Sequence, residues 1–274
     1  MTDTIAEHYA NHGIAERILS AVRATLPPGT PLTADLLAPA DQLHGRGLDA
    51  TKELAALLDP RPGEHILDIG SGVGGPARWI ASHFSCRITG IGLTGAFCSA
   101  AEALNRATGL TDHVTIVHGS ATALPFADQT FDRAYSHNVV MNIADKRAFY
   151  REARRVLKPG GVLVLLNLIA GSTGTPHYPA PWAASAATSY LATLEETRDD
   201  LTSEGFEIVQ LMDTTSQTRG ARRAHAQRLE AGTAPVLGAH LVMGSRMKEL
   251  QINVIRSEEE GSIGSMQALV RRPA

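Results

Sequence analysis

The sequence predicts a doubly wound α/β fold on a parallel sheet, and three observations predict it. From residue 65 onward, short apolar runs alternate with amphipathic helical stretches. That pattern puts helices on both faces of a parallel sheet. The first run, His65-Ile66-Leu67-Asp68-Ile69, ends in glycines at 70, 72, 74 and 75, and the amphipathic stretch Ala77 to Phe84 follows. Strand, glycine turn and helix in that order let a backbone approach a bound nucleotide closely. Finally, 274 residues with 43% apolar and 19% charged content suffice for one large core, with room for a small cap.

Residues 4 to 26 read as a helix, with Ile5, Tyr9, Ile14, Ile18 and Val22 at helical spacing and a break near Gly13. Pro27-Pro28-Gly29 ends it. Leu32 to Leu37 predicts a short helical turn, Gly45 and Gly47 a loop, and Leu48 to Leu58 the next helix. Strands are expected near 65–70, 86–91, 114–118, 131–136 and 162–169, and helices near 75–84, 95–108 and 146–157. Lys158-Pro159-Gly160-Gly161 reads as a helix stop and turn. Glu195 to Glu204 is a further helix, Phe206 to Asp213 a sixth strand, 217–231 and 239–257 two helices, and Ser262 to Arg271 a last strand. The stretch Gly171 to Pro181 is a loop on the side where the strands end.

The net charge is −3 and no basic stripe stands out, which argues against nucleic acid as a partner. Arg222-Arg223 and Arg271-Arg272 read as solvated surface. Cys86 and Cys98 suggest neither a disulfide framework nor a metal site. None of the histidines has a recognised zinc spacing, so no metal is expected. The start, Met1 to His8, lacks the basic and apolar regions of a secretory signal, and no apolar run reaches the roughly 18 residues of a membrane span. The expectation is a cytoplasmic protein acting on a small molecule, away from membranes, with self-association left open.

The segment Leu67-Asp68-Ile69-Gly70-Ser71-Gly72-Val73-Gly74 resembles the first motif of the class I S-adenosylmethionine (SAM) dependent methyltransferases. Asp128 to Tyr135 matches that family's fourth strand, with Ala123-Leu124-Pro125-Phe126 just before it, and Glu152 to Leu163 resembles the approach to its fifth. The resemblance covers 65 to 170 well and the remainder more loosely. Within the family the chain is most similar to small-molecule methyltransferases of the sarcosine/dimethylglycine and phosphoethanolamine type.

The resemblance implies a Rossmann-like seven-stranded sheet, with an N-terminal helical lid and a helical insertion before the last strand. In this chain those would be a lid over 1–58, a core over 59–213, a cap over 214–258 and a last strand over 259–274. It also implies SAM as cofactor. Gly70, Ser71, Gly72 and Gly74 would face its methionine part, and Asp68 would hold its amino group.

Two positions depart from the family pattern. Its second strand usually ends in an acid that accepts both ribose hydroxyls. Here Gly92 stands there, 24 residues past Asp68, followed by Leu93 and Thr94. The acid expected after the third strand is Ser120, beside Ala121. Three readings follow. SAM binds with the ribose held by water, Thr94 or another side chain; or Gly92 makes space for a modified cofactor; or the scaffold has been turned to another reaction, such as a cyclisation.

Ligands of open parallel sheets lie beyond the carboxyl ends of the strands. Strand four ends Tyr135-Ser136-His137-Asn138, which makes His137 a candidate general base and Ser136 a cofactor contact. Asn138, Met141 and Asn142 are candidates for the substrate side, with His177, Tyr178 and Trp182 after strand five. His44 and Arg46 sit in the loop expected at the cofactor's methionine end, and Tyr9 is a candidate to close over it. Met243, Met247, Ile252 and Ile255 recur at near-helical spacing and read chiefly as packing within the cap.

Overall fold

A computed structural model describes residues 13–230 and 236–274. Three helices come first: α1 (Ile14–Arg23), α2 (Ala34–Asp41) and α3 (Gly47–Leu58). Alternation then begins with β1 (His65–Ile69), α4 (Gly75–Phe84), β2 (Arg87–Gly92), α5 (Gly95–Ala107), β3 (Val114–His118) and β4 (Phe131–His137). A 3-10 turn, Val140–Asn142, leads to α6 (Lys146–Val156), β5 (Leu157–Ala170), α7 (Leu194–Ser203) and β6 (Glu207–Asp213). The chain closes with α8 (Thr215–Glu230), α9 (His240–Met243), α10 (Met247–Glu259) and β7 (Ile263–Arg271).

The seven strands form one mixed sheet in the order β3-β2-β1-β4-β5-β7-β6. The neighbours β3, β2, β1, β4 and β5 pair in parallel, and β7 runs antiparallel to both β5 and β6. The order reverses at β1, so the carboxyl ends of β1 and β4 open a crevice, the usual ligand position in such sheets. Both sheet faces are covered. Leu67, Ile69, Leu163 and Leu165 pack into the core on one face, and Ile66, Ile88, Val164 and Leu166 into that on the other. Central strands buried on both faces read as continuous apolar runs. This is why β1 and β5 were legible in the sequence.

The expected strands all form, with ends shifted by a residue or two except for β5. That strand begins at Leu157, not 162. Phe131 pairs with Leu157 and Arg133 with Val162, so the Lys158-Pro159-Gly160-Gly161 stretch is an irregularity within the strand and not a turn before it. Gly160 takes the extra residues at φ +78°, a conformation costly for side chains with a Cβ.

The short turn expected at 32–37 is a full helix to Asp41, started by Thr33, whose hydroxyl accepts from the Leu36 amide. The single helix expected over 239–257 breaks at Gly244, where φ is +71°. α1 packs on α5 and α9, bringing Ile14 and Ile18 against Phe97, Leu104 and Val242. Among the described residues, no helix is long and apolar enough to cross a membrane.

Candidate active site

One cleft of about 1710 Å³ lies over the carboxyl ends of β1, β2 and β4. That exceeds the roughly 300–1,000 Å³ of an ordinary small-molecule site, so it has room for two molecules side by side.

The glycine loop forms its floor at one end. Gly70 and Ser71 both donate their amides to the Ile91 carbonyl (2.8 and 3.0 Å), folding the loop over β2. Gly70 sits at φ +91°, and a Cβ there would lie 2.2 Å from Val139 Cγ2. Glycine is therefore required at this position on two counts. Arg78 locks the loop from behind. It is fully buried on α4 and donates to the Val73 carbonyl (2.7 Å), to Asn105 Oδ1 (2.9 Å) and to Asp41 Oδ2 (2.8 Å). A buried charge of this kind is tolerated only when paired and hydrogen-bonded.

Asp68 lies beside this loop, 3% exposed and opposite Tyr135 in the β1–β4 register. Its Oδ2 has no hydrogen-bond partner among the described residues. Burial pushes its carboxyl up to about 7, which the Tyr135 hydroxyl partly offsets. An unpartnered buried carboxylate beside a glycine floor fits a ligand carrying an ammonium group.

At the other end of this floor the structure has no matching acid. Gly92 lines the cleft, and a Cβ there would stand 3.2 Å from Cys98 Sγ and 3.9 Å from Ser71 Oγ. Leu93, Thr94, Ser120 and Ala121 line the same stretch. Ser120 is engaged with its neighbour Thr122, Oγ to Oγ1 at 2.9 Å.

Two imidazoles meet at the centre of the cleft. His44, from the loop before α3, stacks on His137 at the end of β4, with ring centroids 3.8 Å apart and planes 19° from parallel. Burial lowers His44 to about 3, helped by Arg46. His137 is lowered well below its ordinary value by burial first, then by His44 and Arg46. Both rings are therefore neutral at neutral pH. The Arg46 charge is taken up by Glu53, which accepts from both guanidinium Nη atoms at 2.6 and 2.5 Å.

Beyond the histidines the walls turn apolar. Met141, Leu168 and Trp182 line one side, and Met243, Met247 and Ile255 the other. Asn138 and Asn142 also line the cleft, and the Asn142 side-chain amide donates to the Trp182 carbonyl.

Several expectations are corrected here. Ser136 is buried and gives its hydroxyl to the Ile69 carbonyl (2.8 Å), which ties β4 to β1 and keeps it out of the cleft. Gly74 does not line the cleft, because it has turned at φ +77° to start α4. His177 and Tyr178 also lie outside it. The His177 ring pairs with Glu260 at 2.6 Å, and Tyr178 packs edge-on against Trp182. Met243, Met247 and Ile255 face the cleft instead of packing within the cap, while Ile252 on the same helix is 48% exposed. Tyr9 lies outside the described residues.

Sequence reading missed Asp41, Gln42, Thr51, Arg78 and Asn167. An arginine between Ala77 and the apolar pair Trp79-Ile80 was the one available signal. Among the described residues no group of acidic, histidine or cysteine side chains could hold a metal ion.

Comparison with known proteins agrees with this geometry. Residues 67–165 match the family model described as a methyltransferase domain. The chain is 40% identical over 121 residues to 24-methylenesterol C-methyltransferase 2 of Oryza sativa subsp. japonica, covering 44% of this chain and 33% of that protein. It is 30% identical over 182 residues to Methyltransferase GfsG of Streptomyces halstedii, covering 65% of this chain and 66% of that one. Phosphoethanolamine N-methyltransferases are among the further relatives. The chain thus spans between a third and two thirds of the length of those first two relatives.

Among solved structures, that of the [4+2]-cyclase SpnF superposes with a TM-score of 0.72 at 24% identity, over 100% of this chain and 97% of SpnF. That likeness is one of fold. Residues 67–165 therefore carry a methyltransferase domain, and the fold around it is shared with solved SAM-dependent methyltransferase structures.

Proposed function

We propose that this protein transfers a methyl group from SAM to a bulky, largely apolar small molecule through a nitrogen or oxygen nucleophile, by direct in-line displacement. The observation that carries the reading is the single two-part cleft. It brings together a glycine floor beside Asp68, whose Oδ2 has no partner among the described residues, two stacked neutral histidines, and apolar walls that include Met141, Leu168 and Trp182.

SAM, when bound, supplies a methyl already activated on a sulfonium sulfur, so the protein's task is mainly to position a nucleophile and exclude water. Asp68 would meet the ammonium of the methionine part, and Gly70, Ser71 and Gly72 would let the backbone close on it. Leu93, Thr94, Ser120 and Ala121 would face the nucleoside. His137, uncharged because burial opposes its protonation, would hold a lone pair to accept the proton of an N–H or O–H acceptor. Asn138, Asn142 and Trp182 would orient that acceptor, and the mobile-tailed side chains of Met141, Met243 and Met247 suit an irregular apolar body.

Calorimetric titration with SAM and with S-adenosylhomocysteine tests the first half of this reading. Micromolar binding of both is expected, and no detectable binding of either overturns it. Gly92 favours one second reading, a repurposed site that takes a modified cofactor or performs a non-methylating, cyclase-type reaction. The variant Gly92→Asp separates the two. A methyltransferase site should bind SAM as well or better once the acid is restored. A repurposed site should bind SAM more weakly.

A further inference from the structure

A second, small pocket of about 30 Å³ adjoins the cleft, sharing His44, His137 and Asn138 with it and lined by Asn167 among others. Its volume is about that of one water molecule. Three buried atoms of these residues have no partner among the described residues: His44 Nδ1, His137 Nδ1 and Asn167 Oδ1. Buried polar atoms are rarely left unpaired in folded proteins.

The donor and acceptor roles around them can be worked out from one fixed end. Asp41 is buried against the Arg78 guanidinium at 2.8 Å and acts as an acceptor. Gln42 therefore turns its amide nitrogen to Asp41 Oδ1 (3.2 Å), leaving its oxygen to accept. The Thr51 hydroxyl donates its one proton to that oxygen at 2.6 Å. Thr51 Oγ1 can then only accept from His44 Nε2, 3.4 Å away. His44 is neutral, so a proton on Nε2 leaves a lone pair on Nδ1.

Two acceptors, His44 Nδ1 and Asn167 Oδ1, and the ring nitrogen His137 Nδ1 thus belong to residues that line this one small pocket and are buried without a partner among the described residues. We propose that one structural water occupies this cavity, donates to His44 Nδ1 and to Asn167 Oδ1, and accepts from His137 Nδ1–H. Three hydrogen bonds are the usual number for a buried water. The arrangement fixes His137 as the Nδ1–H tautomer and so places its lone pair on Nε2. Asn167 becomes a positioning residue for His137, acting through the water. The tautomer assignment stands on this hydrogen-bond chain together with a neutral His44; its importance for turnover rests on the methyl-transfer reading above.

Long-range proton–nitrogen correlation NMR of the intact, cofactor-free protein tests the assignment without any activity. The expected result is a neutral Nε2–H tautomer for His44 and a neutral Nδ1–H tautomer for His137. An Nε2–H or charged His137 overturns the proposal. Asn167→Leu should shift His137 to a mixture of tautomers, whereas Asn167→Asp, which keeps an acceptor, should preserve the single one. An unchanged His137 spectrum in Asn167→Leu removes Asn167 from the scheme. Should that variant not fold, a crystal structure of the unaltered protein at atomic resolution decides the matter. A density peak within hydrogen-bond distance of all three atoms supports the proposal, and an empty or apolar-filled cavity overturns it. With a methyl acceptor in hand, Asn167→Leu should lower kcat about tenfold, with KM and SAM affinity within twofold of the parent.

Discussion

The two ends of the cleft are built in different ways. The proposed cofactor end is made from residues close together in sequence: Asp68 to Gly72 on one strand–turn unit, then Gly92 to Thr94 and Ser120 to Ala121 on its neighbours. Backbone groups and missing Cβ atoms do much of the work there. The proposed acceptor end is assembled from side chains far apart in sequence, with His44 stacked on His137 and Leu168 and Met247 lining the same cleft. Burial also acts with opposite sign at the two ends. It raises Asp68 to about 7 and lowers His44 to about 3, and in each case it opposes the charged form. In the proposed methyl transfer, that leaves a carboxyl to meet the cofactor's cation at one end and a lone pair to take the acceptor's proton at the other.

The largest effect that would break this comparison is expected at the glycine floor. In Gly70→Ala the added methyl would meet Val139 at 2.2 Å while the backbone holds φ +91°. SAM affinity measured by calorimetry should fall at least about 100-fold, through strain of a few kcal/mol. Affinity within threefold of the parent would mean that the loop does not contact the cofactor.

His137→Ala should instead act on the acceptor end alone. Turnover should fall on the order of 10²-fold or more while SAM affinity stays within about threefold. Equal loss of both would make His137 a cofactor contact and merge the two ends.

Stability against pH measures the opposite burial effects directly. Asp68 has a folded value of about 7 against about 3.9 unfolded, so between those limits the folded state of the cofactor-free protein binds the extra proton. Its contribution to stability falls as pH rises through that window. His44 is lowered to about 3 from about 6.5, so over pH 3 to 6.5 the unfolded state binds the extra proton and stability rises with pH. Denaturant titrations at several pH values should therefore diverge. Relative to the parent, Asp68→Asn should gain up to about 1.4 kcal/mol per pH unit across pH 4 to 7. His44→Gln should lose ground over pH 3 to 6.5. Parallel curves would show that neither group is held neutral.

The smallest expected change sharpens the nucleoside end. Gly92→Asp asks Cys98 Sγ, 3.2 Å from the new Cβ, to give by a few tenths of an ångström. If the ribose is then held by a charge-assisted pair, calorimetry should show SAM binding about tenfold tighter, from roughly 1.5 kcal/mol of added interaction. Weaker binding would favour the repurposed site.

Most of the residues expected at the cofactor from the sequence alone line one cleft. Asp68, Gly70, Gly72, Gly92 and Thr94 are close in sequence to the strand ends that present them, and all line the cleft. The expectations that the structure corrects share a cause. Ser136 sits one residue before His137, but alternation along β4 turns its hydroxyl to β1. His177 lies in the right loop, yet Glu260, from beyond the cap helices, draws its ring away. Neither partner is visible from local pattern.

Sequence by itself determined the strand–helix alternation, the glycine floor and the position of Asp68. These rest on backbone conformation and on apolar periodicity, which are local properties. The tertiary structure alone decided that His44 would stack on His137, that Arg78 and Asp41 would pair behind the floor, and that methionines of the cap would line a substrate chamber. The two side-chain contacts join residues 37 and 93 positions apart. Their energies come from excluding water around groups that are polar in isolation. Desolvation is a property of the assembled fold, and no segment carries it alone.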